Sequence, residues 1–243
     1  MTVTATAVPG LPEIRRGDDL AALIAARATT GARDVVVVAH KAVSKAEGRV
    51  VRLADVQPSA RAIELAAPHG KDPRAVEVVL GESAEVLRAV GGVLICRTHH
   101  GFVCANAGVD ASNAADADEL ILLPADPDAS ARTLRAALPG QPAVVITDSF
   151  GRAWRVGQCD VAIGIAGLRP LEDWRGRPDS VGREMRATWI AVADQAAAAA
   201  DLARDKDSRQ PAVIVQGLDR FVTPHDGPGA QALLRPLAED LFL

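Results

Sequence analysis

The sequence predicts an α+β fold of mixed sheets with packed helices, and not a regular doubly wound sheet. Short apolar runs at residues 34–39, 143–147, 161–165 and 211–215 have the length and composition of strands. Residues 72–88, 126–138 and 183–204 carry helix start signals or an alanine-rich helical composition. Strands and helices mix along the chain without the repeating strand–helix–strand unit of a doubly wound sheet. No internal repeat or low-complexity linker divides the 243 residues, so one domain over 1–243 is expected, with room for two lobes.

The elements follow in order. Residues 34–39 read as a buried strand, followed by Val43, Ser44 and Lys45 and a turn at Glu47 and Gly48. Asp72 and Pro73 open a helix running toward Arg88, with an apolar stripe through Val76, Val79, Leu80 and Leu87. Residues 93–96 form one strand and 102–107 the next, across a turn at 97–101. A strand-like run at 119–123 precedes Asp126, which caps a helix to Leu138 that Pro139 and Gly140 end. Residues 143–147 form the strand carrying Asp148, and 161–165 a further one. Residues 183–204 read as one long helix, 211–215 as a late strand, and 233–241 as a terminal helix bent at Pro236. The long loop 168–182, rich in Gly, Pro and Arg, is either a substrate lid or a plain surface loop.

Composition excludes several classes. A net charge of −4 gives no reason to expect nucleic acid as the main partner, and no apolar run has transmembrane length. The N-terminus lacks the basic region and apolar core of a signal peptide. Cys96, Cys104 and Cys159 are odd in number, scattered and set in apolar segments, as expected of reduced thiols in the cytoplasm. Cys104 lies near His99 and His100, but its apolar neighbours point to packing, and the two histidines to polar support of the strand.

The chemistry concentrates in two stretches. After Gly108, which permits a sharp or crowded backbone, come Asp110, Ser112 and Asn113. Alone, they read as a polar turn with an Asx cap. The second stretch ends the run 143–147 in Asp148 and Ser149, with Arg152 and Arg155 beyond. Two strands that each deliver a carboxylate beside a hydroxyl or amide can hold divalent cations, and the arginines offer forks for phosphate or carboxylate. No P-loop and no Gly-x-Gly-x-x-Gly turn is present, so these residues alone announce no nucleotide.

Six segments, in order, resemble the coenzyme F420 γ-glutamyl ligase family. They are residues 10–20 (Gly-Leu-Pro-Glu-Ile and Gly-Asp-Asp-Leu), 43–49 (Val-Ser-Lys-Ala-Glu-Gly-Arg), 70–74 (Gly-Lys-Asp-Pro-Arg), 100–113, 146–154 and 190–194. The resemblance implies a GTP-dependent ligase that joins L-glutamate to the phospholactyl carboxylate of coenzyme F420-0 through an acyl phosphate, with further γ-linked glutamates within the same chemistry. It implies GTP contacts at Leu11, Pro12, Glu13, Ile14, His40, Lys45 and Asn113, and a later nucleotide loop near residues 203–208. It further implies Mg²⁺ or Mn²⁺ at Asp110 and Asp148 with a second ion at Ser149, K⁺ as an additional cation, and catalytic roles for Asp110, Asp148 and Lys45. A homodimer is expected on the same ground, and the cytoplasm from the cysteines and the N-terminus. Three other functions remain open: a same-mechanism ligase on another acid, a metal-dependent phosphatase, and a non-enzymatic nucleotide-binding subunit.

Overall fold

The computed structural model describes residues 2–205 and 207–240. In chain order its elements are β1 (Thr4–Ala7), α1 (Leu20–Ala25), β2 (Val35–Ala39), α2 (His40–Glu47), β3 (Val50–Arg52), α3 (Ala60–Ala66) and α4 (Pro73–Gly81). There follow β4 (Ser83–Val90), β5 (Val93–Thr98), β6 (Val103–Ala105), β7 (Glu119–Ile121), α5 (Pro127–Ala137), β8 (Ala143–Arg152) and β9 (Arg155–Ala166). The last are β10 (Leu171–Asp173), β11 (Trp189–Ala191), α6 (Val192–Leu202) and β12 (Ala212–Gln216).

The class is α+β. The central sheet has the order β1-β12-β2-β8-β9, and only β2 and β8 run parallel. Val35, Val36, Val37 and Val38 are all fully buried, as are Val144, Val145 and Ile146 opposite them, so both faces of the sheet are covered. Three smaller antiparallel sheets, β4-β5-β6, β3-β7 and β10-β11, complete the architecture. Helices α3 and α4 enclose a separate apolar cluster with Leu94, Cys96 and Ala107.

Helix α5 is anchored at its start. The Asp126 side chain accepts from Ala129 N at 2.8 Å, and Asp128 accepts from Ile165 N at 2.8 Å, pinning the first turn to β9. Gly164 lets the two approach: a Cβ there would lie 2.3 Å from the Pro127 carbonyl oxygen. Gly164→Ala is therefore expected to destabilise the fold by about 1–3 kcal/mol and to lower the melting temperature by several degrees. An unchanged thermal melt would refute this packing account.

Several boundaries differ from the sequence reading. The helix expected over 72–88 stops at Gly81, and Leu87 lies on β4, which pairs with β5. The long helix expected over 183–204 begins only at Val192, because Trp189, Ile190 and Ala191 pair with β10. The strand expected over 102–107 spans only Val103–Ala105, then turns through Asn106, Ala107 and Gly108, all with positive φ. Gly108 meets the crowding expected of it, since a Cβ there would lie 2.7 Å from Leu123 Cγ. The terminal stretch forms short 3₁₀ turns at Ala230–Leu233 and Leu237–Glu239, and Leu241 lies outside the described residues. Segment 43–45 belongs to α2, which the sequence reading does not contain.

Candidate active site at the ends of the parallel strands

Strands β2 and β8 place Ala39 opposite Thr147, so their C-terminal ends lie side by side. Ligands gather at such ends, where the chain leaves the sheet and side chains come free of the ladder. From Ala39 the chain enters α2 without a side-chain cap, and its first two residues face the two carboxylates expected from sequence. His40 is 2 % exposed, and its Nε2 comes 3.2 Å from Asp148 Oδ1, in a geometry that forms no hydrogen bond. Lys41 Nζ donates to Asp110 Oδ2 and to Ser112 Oγ, both at 2.7 Å. Consecutive residues of one helical turn thus bring Asp110 and Asp148 to the same end of the sheet.

Asp148 is not at a strand terminus, as the sequence reading has it, because β8 continues to Arg152 through its pairing with β9. It does stand one residue past the last parallel pair, where β2 gives way to α2. Ser149 N donates to Asp148 Oδ1 at 2.8 Å. Asp110 is held by a two-way backbone bridge to Ile121. Its carboxylate also accepts from Ser112 N at 2.7 Å, so the Asx turn and the chemical placement coexist. Burial pushes the Asp110 pKa up, but hydrogen bonds from Lys41 and Ser112 and the lysine charge outweigh this and hold it below the usual value.

Beneath Ser149 lies a polar network that the sequence reading misses. Ser149 Oγ donates to Asp160 Oδ1 at 2.6 Å, and Thr147 Oγ1 donates to Asp160 Oδ2 at 2.8 Å. Arg204 pairs with the same carboxylate and donates to Thr147 Oγ1 at 2.9 Å. Asp160 is 2 % exposed. Burial raises its pKa, and the Ser149 hydroxyl, the Arg204 charge and Thr147 together bring it below the usual range. With its proton committed to Asp160, the Ser149 hydroxyl presents oxygen lone pairs in other directions. A lone carboxylate inside the apolar run 159–166 is the signal that points to this network. Asp194, in α6, accepts from Ala162 N at 2.9 Å, and burial raises its pKa.

The expected nucleotide residues fall in two groups. Leu11 and Ile14 are buried in the main core, so what they offer a ligand is backbone. Pro12 and Glu13 are exposed, and Glu13 forms an ion pair with Lys45, which joins two of the expected segments. Asn113 is exposed with a left-handed φ of 60°. Arg152 and Arg155 sit at the β8–β9 turn, four and seven residues past Asp148, where Arg152 donates to the Val156 carbonyl at 2.9 Å. At a strand rise of about 3.3 Å per residue, Arg152 is roughly 13 Å along the strand from Asp148, which removes it from the cluster. In the stretch 203–208, Arg204 is committed to Asp160, and Lys206 lies outside the described residues.

Cys104 packs as expected. Burial, then the Asp148 charge and Cys96, push its thiol up to about 12, far from a nucleophile at neutral pH. His100 supports the fold: its Nε2 contacts the carbonyl oxygens of Pro124 and Ala125, and its ring stacks on Phe102.

Among the described residues no three His, Cys, Asp or Glu side chains converge as a closed metal cage. The donors present are carboxylate and hydroxyl oxygens. That set fits a hard cation such as Mg²⁺, which takes one or two protein carboxylates and completes its shell with phosphate oxygens and water. No helix among the described residues is long and apolar enough to cross a membrane.

These oxygen donors sit on a chain whose relatives are ligases. Proteins described as Coenzyme F420:L-glutamate ligase match it almost end to end. The one from Methanothermobacter thermautotrophicus is 42 % identical, with 100 % of this chain and 99 % of that protein aligned. Those of Methanopyrus kandleri and Archaeoglobus fulgidus are 44 % and 46 % identical, over 97 % and 90 % of this chain and 95 % and 89 % of theirs. The chain belongs to the F420-0:gamma-glutamyl ligase family, whose model matches residues 10–217 and so spans every site residue named above.

Proposed function

We propose that this enzyme joins L-glutamate to the phospholactyl carboxylate of coenzyme F420-0, at the expense of GTP and through an acyl phosphate. The observation that carries this reading is the placement of Asp110 and Asp148 around the first turn of α2, at the ends of β2 and β8. A free carboxylate is a poor acyl donor because hydroxide is a poor leaving group. One of its oxygens attacks the γ-phosphorus of GTP, the bond to the β-phosphate oxygen breaks and GDP leaves. The glutamate amine then attacks the acyl carbon, the carbon–oxygen bond breaks, phosphate departs, and the nitrogen gives up its proton.

Asp110, Asp148 and Ser149 would hold divalent cations, whose positive charge would screen the anionic reactants. The protein's own groups do the rest. Lys41 and Lys45 put two ammonium groups on α2, one in its first turn and one in its last. His40 contributes a buried Nε2 with no hydrogen-bond partner, a group that gains by meeting a ligand oxygen. The Glu13–Lys45 pair fixes the 11–14 segment against α2, assisted by the bond from Gly17 N to Ala46 O at 2.8 Å. By the same reading the enzyme is a cytoplasmic homodimer.

Mass spectrometry of F420-0 incubated with GTP, Mn²⁺ and glutamate tests the function. A product heavier by one or more glutamyl units, requiring every component, supports it. Phosphate release without glutamate or F420-0 makes the protein a phosphatase, and binding without turnover makes it a binding subunit. Hydroxylamine in place of glutamate should yield a hydroxamate, whereas glutamyl phosphate formed without F420-0 would refute the order of steps.

Lys45→Ala is expected to weaken GTP binding about 10- to 100-fold and to leave glutamate binding unchanged, as for loss of a charge-assisted hydrogen bond. Separate titrations of the two substrates decide it. Equal losses for both would return Lys45 to a purely structural partner of Glu13.

A further inference from the structure

We propose that the cleft between α4 and the Asn106–Ala111 segment is the acceptor site for the amino-acid substrate, with Lys71 as the residue that receives one glutamate carboxylate. This rests on the ligase reading above. The cleft has a volume of about 250 Å³, a size for an amino acid and not for a nucleotide. Its floor is apolar, with Val76, Val79 and Leu94, and Asp110 stands in its lining. A ligand in it therefore reaches the carboxylate that the reaction centre uses.

The polar groups of the cleft have the pattern of a carboxylate receptor. Asp72 has its charge met by Arg74, at 2.6 Å, and Arg74 also faces Asp118 at 3.7 Å. Lys71 differs: its ammonium donates to the neutral Asn106 Oδ1 at 3.1 Å, and it has no carboxylate partner among the described residues. A cation without an ion-pair partner in a half-buried cleft attracts an anion, and among the described residues no carboxylate lies within ion-pair distance of Lys71. Lys71 is also held in place, since its backbone N donates to Ala66 O at 3.2 Å beyond the left-handed Gly70.

Asn106 adds a second argument. Its amide oxygen accepts from Lys71 and from Leu94 N, so its remaining bonding capacity is donor N–H. It opens a run of three positive-φ residues, with Asn106 at 50°, Ala107 at 53° and Gly108 at 72°. An asparagine tolerates that region, but Ala107 is strained there, and such strain persists where a backbone must present a group in one fixed place. The geometry so assigned has glutamate with a carboxylate on Lys71 and the Asn106 amide, its methylenes on Val76 and Leu94, and its amine toward Asp110. The segment Gly70 to Arg74, which the nucleotide and cation assignments leave without a task, acquires one.

The test is Lys71→Gln, with Lys71→Arg as the charge-retaining control. The expected result is a rise of about 10- to 100-fold in the KM for glutamate, with the KM values for GTP and F420-0 within about twofold. Hydroxamate formation in the absence of glutamate stays at the wild-type level, and Lys71→Arg recovers part of the loss. An unchanged glutamate KM, or a loss falling mainly on F420-0 or GTP, overturns the assignment. Calorimetric titration of glutamate, with Mn²⁺ and a non-hydrolysable GTP analogue present, separates this proposal from the ligase reading. Binding abolished by Lys71→Gln supports the cleft even where wild type gives no ligated product. Equal binding by both proteins overturns it whatever the activity.

Discussion

Asp148→Asn is expected to lower the ligation rate by about a thousandfold or more while the protein stays folded. The size follows from the proposed role of Asp148 as a carboxylate that would neutralise and position a hard cation, an effect worth several kcal/mol on phosphoryl transfer. The fold survives because the structural partners of Asp148 do not need its charge. Its Oδ1 accepts from the adjacent Ser149 N, a bond that an amide oxygen can also accept, and His40 Nε2 makes no hydrogen bond to it. Circular dichroism and a thermal melt establish the fold, and product formation at ordinary Mn²⁺ concentration establishes the rate. A folded variant turning over at close to the wild-type rate removes Asp148 from the reaction centre.

The second large effect is on stability. Asp160→Ala is expected to cost roughly 3–5 kcal/mol at pH 7, the range for breaking a buried ion pair by removing one partner. Arg204, with 9 % side-chain exposure, would be left with its charge uncompensated, and Thr147 and Ser149 would both lose their acceptor. The loss depends on pH. The folded-state pKa of Asp160 is depressed, so its contribution is present above the unfolded carboxylate value of about 3.9 and disappears as pH falls through the folded value. Urea unfolding of both proteins at pH 7 and at successively lower pH should show the difference narrowing below about pH 4. A difference of the same size throughout the acid range would show that lost packing, and not the charge, is responsible.

What the sequence discloses here follows from how locally each feature is determined. The run of four valines at 35–38 has no polar position for a solvent face, and it is a buried strand. Asp126 and Pro127 are a start signal complete within two residues, and helix α5 begins there. Strand β4 is different: it follows α4 directly, its burial is partial and irregular, and its register with β5 shifts twice. Its Leu87 thus falls by spacing onto the stripe of the preceding helix. Helix α2 has no capping side chain, so nothing local marks its start. The carboxylates Asp110 and Asp148 are legible as ends of apolar runs, but their common neighbour is not. Lys41 and Asp110 are 69 residues apart in sequence and meet only through the fold. Asp160 and Arg204, 44 apart, are hidden for the same reason.

The direct passage from β2 into α2 makes the length of that junction a fixed quantity. His40 and Lys41 face different carboxylates because they differ by one helical step, about 100° around the axis. Inserting or deleting a single residue there would rotate both side chains together, turning Lys41 away from Asp110 and drawing the buried imidazole out of its place. At the β8–β9 turn, by contrast, the bond from Arg152 to the Val156 carbonyl closes within the turn itself. In this enzyme, then, divergence by insertion has a forbidden place where the chain leaves β2, since one added residue there would misplace two side chains of the site at once.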